Sequence, residues 1–161
     1  METLSFDLLQ FLYHLALAIL IGGSLVLGTA VAPAVFTSAR SRGEAGTLFG
    51  NVLARFDGLA IFSVIVLAIT SVLKAVSFEV TGAPDARLVV RWIALTLLGV
   101  ATLYSSAWAN PVARQIRSAT VGFDEQPSSS PARAEFARLH DRSRRAMSIA
   151  VVFGLLALFL G

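Results

Sequence analysis

The amino-acid sequence predicts an all-α fold, a four-helix transmembrane bundle with amphipathic cytoplasmic helix extensions before spans two and four. Three observations predict it. Hydrophobic residues make up 56% of the 161 residues, charged residues only 14%, and the mean hydropathy is +0.76, whereas soluble domains carry roughly 25% charge. Apolar runs recur near the roughly 20 residues that a helix needs to cross a hydrocarbon core of about 30 Å. Basic residues gather between those runs. The expected organisation is a single membrane domain, 1–161, with spans at about 8–27, 58–78, 92–110 and 146–161 and cytoplasmic loops at 28–57 and 111–145.

Span one is preceded by acids alone, Glu2 and Asp7, with no base before Arg40. TAVAPA around Ala32 has the small residues of a cleavage site, but without a basic n-region a membrane span is the better reading. EAGTLFGNVLARF then places Ala45, Leu48, Phe49, Val52, Leu53 and Phe56 at the spacing of an amphipathic helix that continues into span two. Lys74, near the end of that span, is expected to snorkel. Trp92 and Trp108 bracket span three about 24 Å apart at helical rise, as aromatic belts do. Asn110-Pro111 is expected to interrupt the helix, and FDEQPSSSP reads as a connector. Helix restarts at Ser130-Pro131, with Ser130 as N-cap and Glu135 suited to the positive end of the dipole. Span four is short, and Arg144 and Arg145 can lend it length by lifting their heads to the interface.

Ten of the 13 bases lie after span one or span three; only Lys74, Arg87 and Arg91 lie on the other side. The positive-inside rule therefore places both long loops in the cytoplasm and both termini outside. The same distribution argues against a nucleic-acid partner despite a pI near 10.2, because the bases sit where cytoplasmic loops place them. The expected partners are the lipid bilayer, with its anionic headgroups, and other membrane-protein subunits or further copies of the chain. With no cysteine, thiolate metal sites and cysteine nucleophiles are excluded.

Two constellations carry chemistry. Asp7, Gln10 and His14, three and four residues apart, form a polar stripe entering span one, with Gln10 in reach of His14; intramembrane ionisable groups are functional hypotheses by default, against which stands simple hydrogen-bonded packing. At 100° per residue, Phe136, Leu139, Ser143 and Met147 share one face of the last helix with His140 beside it, while Arg138, Asp141, Arg142 and Arg145 point away. His140 and Ser143 are thus expected to face Asn51, Arg55 and Asp57, either as a small anion or headgroup site or as a clasp between two helix extensions, the clasp being the plainer reading. A bis-histidine haem would need His14 and His140 on one iron, and they are expected on the order of 30 Å apart along the membrane normal. No cofactor or metal site is expected, nor any catalytic residue: nucleophile–base pairs, phosphate loops and paired carboxylates are missing. Ala18 and Gly22, and Ala150 and Gly154, have the small-xxx-small spacing of close helix packing.

EFARLHDRS running into an apolar span resembles the pattern before the last helix of the transmembrane protein 205-like family, whose bacterial members form a domain of unknown function. GGSLVLGTAVAPAVFTSARSRGEAGTLFGNVLARFD is similar to that family's first half. The resemblance implies a four-span protein, with a bacterial inner membrane as its setting and no established reaction. Pro33, Phe36, Gly46, Phe49, Phe136, His140 and Ser143 are the matching positions; His14 has no place in the pattern. The reading that follows is a small subunit or scaffold that packs against other membrane proteins without chemistry of its own. The alternative is a bundle that binds or passes a small solute or ion through the stripe on span one and the cytoplasmic histidine site.

Overall fold

A computed structural model describes residues 2–80 and 82–161. Among these, 87% are helical and none lies in a strand. Four rods are long and apolar enough to cross a membrane: α1 (Leu4–Ser38), α2 (Arg42–Glu79), α3 (Ala86–Ala119) and α4 (Pro131–Leu160). They run up, down, up and down. Gln10 near the start of α1 meets Lys74 near the end of α2, Asp57 meets Asn110, Ser105 meets Ser143, and Tyr13 meets Ala157, closing the ring between α4 and α1. One end of the bundle carries most of the arginines; the other holds the 80–85 connection.

The helices outrun the expected spans because two prolines do not stop them. A proline ring clashes with the carbonyl four residues back. In α1 the backbone widens into a π-helical turn at Leu27–Val31, closed by a bond from the Ala32 N–H to the Leu27 carbonyl, directly before Pro33. In α3 the same device spans Tyr104–Ala109, closed from the Asn110 N–H to the Ser105 carbonyl, directly before Pro111. A wider turn moves the obstructing carbonyl aside, so helix continues past Pro33 and also through Asn110-Pro111, where a break was expected. It also rotates the following residues, and Ser105, Ser106, Ala109 and Asn110 are all buried.

Local chemistry sets the starts. Ser41 caps α2 by accepting from the Glu44 N–H at 3.1 Å, while Glu44 accepts from the Arg40 N–H at 2.8 Å; Asp85 caps α3 through the Leu88 N–H at 2.7 Å. Ser130 departs from expectation: it occupies the capping position before α4, yet its hydroxyl makes no capping bond. Glu135 instead pairs with Arg138.

The inward face of α4 is a seam of small residues, Ala146, Ala150, Gly154 and Ala157, against which Leu17, Leu20, Ile21 and Leu98 pack. Of the two small-residue pairs seen in the sequence, Ala150 and Gly154 face this seam. Ala18 is exposed and Gly22 has open space beside it, so among the described residues that pair makes no close helix contact within the bundle; the close approach on α1 is at Gly23, against the Phe56 ring. A Cβ at Gly154 would lie 2.8 Å from Ile21 Cγ1 and 2.9 Å from Leu98 Cδ1. Gly154→Leu is therefore expected to destabilise the bundle by about 1–3 kcal/mol through overpacking. Gly22→Leu should stay within about 0.5 kcal/mol of the parent, and denaturant titration in detergent compares the two.

Candidate functional site

At the arginine-rich end, a cavity of about 880 Å³ opens between the beginning of α2, the end of α3, the 120–130 connection and the beginning of α4. Arg42, Arg114, Arg117, Arg133 and His140 contribute to its wall, with Asp124 and Asp141 as the acids and Phe36, Phe49, Phe123 and Phe136 as the aromatic part. Four arginines and two acids thus line it, with Arg114 also paired to Asp57 behind the wall. Phe123 is the hinge-pin of the connection. Its buried ring lies 5.4 Å from the Arg117 guanidinium and 5.8 Å from that of Arg133, and packs edge-on against Phe136 at 5.2 Å. Both arginines also hold the connection directly: Arg117 donates to Asp124 at 2.8 Å and to the Gly43 carbonyl at 3.0 Å, and Arg133 donates to the Gln126 carbonyl at 2.7 Å. Gly122 supplies the left-handed turn between them, at φ +63°. Gly46 lets the Arg117 guanidinium lie close against α2, since a Cβ there would push its end aside.

Behind the cavity, Asp57, Asn110, Ser143 and Ser105 form a buried chain. Asn110 Nδ2 donates to Asp57 Oδ1 at 2.8 Å and Arg114 donates to Asp57 Oδ2 at 2.6 Å. Ser143 Oγ donates to Asn110 Oδ1 at 2.5 Å, so its single hydrogen is spent, and Ser105 must be the donor in their 2.7 Å contact. The expected clasp between the two extensions therefore has Ser143 and Asp57 at its ends, with Asn110 between them and Arg114 in the place foreseen for Arg55. Asn51 lines the cavity but is exposed, and Arg55 is exposed outside it. His140 is also no part of the clasp. It lies exposed at the cavity's edge, stacked on Phe136 at 6.1 Å between ring centroids, because a 40° offset from the Phe136 face carries it off the helix contact.

The stripe on span one separates as well. His14 Nδ1 bonds the Gln10 backbone carbonyl at 2.8 Å, the Gln10 side chain accepts from Lys74 instead, and Asp7 is exposed. Lys74 does not snorkel: it is 2% exposed and its Nζ lies 4.6 Å from the Tyr13 ring centroid. Glu79 joins it at 3.5 Å and also pairs with buried Arg91. Tyr13 touches Ala157, seventeen residues along α4 from His140, which sets the two histidines about 25 Å apart at helical rise. One iron cannot reach both.

The pattern of a domain of unknown function (DUF4149) matches residues 15–120, more than half of the chain. The chain belongs to that family. Asp57, Lys74, Glu79, Arg91, Asn110, Arg114 and Arg117 lie within the DUF4149 match, whereas Tyr13, Phe123, Arg133, Phe136, His140 and Ser143 come from outside it. Both buried polar sites of this DUF4149 protein are thus completed by residues beyond the matched segment. No curated protein and no solved structure matches the chain. Sequence reasoning missed Asn110, Arg114, Arg117 and Arg133 as site residues, having assigned the arginines to topology. The available signal was the spacing of Asn110, Arg114 and Arg117 at i, i+4 and i+7, which puts all three on one helical face.

Proposed function

We propose that the protein is a non-catalytic, multi-pass membrane protein that holds an anionic amphiphile at the cytoplasmic end of its bundle, with the headgroup among Arg42, Arg114, Arg117 and Arg133. The observation that carries this reading is the convergence of four guanidinium groups and four aromatic rings on one cavity of about 880 Å³, which suits a ligand with a charged head and an apolar body. The positive-inside count supports a cytoplasmic setting for that end, in keeping with a bacterial inner membrane. The likeness to the transmembrane protein 205-like family belongs to the same proposal. Of its seven matching positions, Phe36, Gly46, Phe49, Phe136 and His140 border the cavity.

The subunit or scaffold reading draws on apolar surface alone. Only 22–39% of each span's most apolar window is buried within the bundle, but lipid covers the remainder as readily as a partner subunit would. The cavity is more specific, so the binding reading is preferred.

Titration of the detergent-purified protein with a short-chain anionic phospholipid, against its zwitterionic counterpart, tests the proposal. Saturable binding of the anionic lipid is expected. Arg117→Gln with Arg133→Gln should weaken it roughly 30-fold, from about 1 kcal/mol for each charge removed near a lipid surface. Equal affinity for both lipids, or binding indifferent to the double substitution, would sink the reading.

A further inference from the structure

At the other end of the bundle, α2 and α3 bury more positive than negative charge. Lys74 and Arg91 are 2% and 6% exposed, and among the described residues Glu79 is the carboxylate that serves both. The Tyr13 ring faces them at 4.6 and 5.9 Å, and Gln10 accepts from Lys74. Ring face and amide are attractive to a cation, yet neither carries a negative charge. Burying two cations on one anion is costly without a further counter-charge.

A ligand's place is visible beside them. Glu79, Arg91 and Arg87 line a pocket of about 530 Å³ together with Asp85, whose carboxylate is occupied in capping α3 at 2.7 Å from the Leu88 N–H. Arg91 Nε is buried and has no hydrogen-bond partner among the described residues. Glu79 is the last residue of the π-helical turn Ala75–Glu79, after which the backbone becomes extended at Val80, and its side chain keeps 18% exposure. It is the member of the cluster that can turn out to water without unwinding a helix.

We infer that this pocket binds a small oxyanion of carboxylate or phosphate type, and that Glu79 occupies the anion's place on Arg91 when no ligand is bound. The inference is independent of the cavity at the arginine-rich end. Fork-like guanidinium donors from Arg91, with Arg87 at the rim, match a planar or tetrahedral oxyanion, and the Lys74 charge adds to the attraction.

The test is calorimetric titration of the full chain in neutral detergent with acetate and with inorganic phosphate, at ionic strength fixed by chloride. Saturable binding of at least one probe is expected. Glu79→Gln, which removes the internal competitor, should tighten it at least ten-fold, and Arg91→Gln should weaken it at least ten-fold. Arg87→Gln, on the exposed rim, should weaken it at least three-fold with the fold intact, and Arg117→Gln with Arg133→Gln, which removes any phosphate held at the opposite end, should leave unchanged the binding component that Glu79→Gln tightens. A cluster that serves packing alone gives no saturable binding in the parent or in Glu79→Gln, and that result overturns the inference. So does weaker binding in Glu79→Gln than in the parent, or parental affinity in Arg87→Gln.

Discussion

Replacing Asp57 with alanine is expected to destabilise the bundle by about 3–5 kcal/mol, since it removes two charge-assisted hydrogen bonds worth about 1.5–3 kcal/mol each. Asp57 is 3% exposed and accepts from Asn110 at 2.8 Å and Arg114 at 2.6 Å. Its charge also sets the direction of the chain behind it. Because Asn110 turns its Nδ2 to the carboxylate, its Oδ1 accepts from Ser143, whose own oxygen then accepts a hydrogen bond from Ser105. Hydrogen bonds aligned in this way polarise one another in a low-dielectric interior. Ser143→Ala should cost less, about 1–3 kcal/mol, as it strands the Asn110 oxygen. The double substitution should fall short of additivity by about 0.5–3 kcal/mol, since both members belong to one network. Equilibrium unfolding in detergent measures all three. Additive losses, or a cost for Asp57→Ala below about 1 kcal/mol, would show that the chain does not act as a unit.

The four rods and their order follow from apolar runs of membrane length, which is why fold class was legible. Helix ends were not, because the sequence shows Pro33 and Pro111 but not the wider turns that accommodate them; a proline reads as a stop unless the backbone five residues back has room to shift. On α4 the 100° rotation correctly turned Leu139 and Ser143 inward and Arg138, Arg142 and Arg145 outward, since Leu139 and Ser143 are buried and those arginines exposed. It failed for His140, because the width of the helix contact depends on the neighbouring helices and is not written in the rotation of α4 alone. The charged clusters were hidden for another reason. A base inside an apolar run has two physical fates, to snorkel or to be paired, and the choice depends on the neighbouring helix. For Lys74 the clue was hairpin geometry: a six-residue connection at 80–85 brings the end of α2 beside the beginning of α3, so Lys74, Glu79 and Arg91 fall at one level.

That level yields the second large effect, and its sign tests the charge imbalance directly. Glu79→Ala leaves Lys74 and Arg91 buried side by side without an anion and is expected to cost about 3–5 kcal/mol. Lys74→Met removes the cation in excess and keeps the Glu79–Arg91 pair, while the methionine stem still fills the space against Tyr13. What it loses is the hydrogen bond to the Gln10 side chain, worth about 1.5–3 kcal/mol when the donor is charged, together with the 3.5 Å ion pair to Glu79 and the cation–π contact with Tyr13, and it gains relief of like-charge repulsion and of the desolvation of the ammonium group. The net cost should be at least about 1 kcal/mol smaller than that of Glu79→Ala, because no buried charge is left without its partner. The triple substitution Lys74→Met, Glu79→Leu, Arg91→Met should recover most of what Glu79→Ala loses, as apolar groups of similar volume commonly replace a buried ionic cluster without penalty. If the three charges were balanced by their surroundings, Lys74→Met and Glu79→Ala would cost alike. Unfolding of the two single variants under the same detergent conditions separates these cases, with equal losses counting against an excess of buried positive charge.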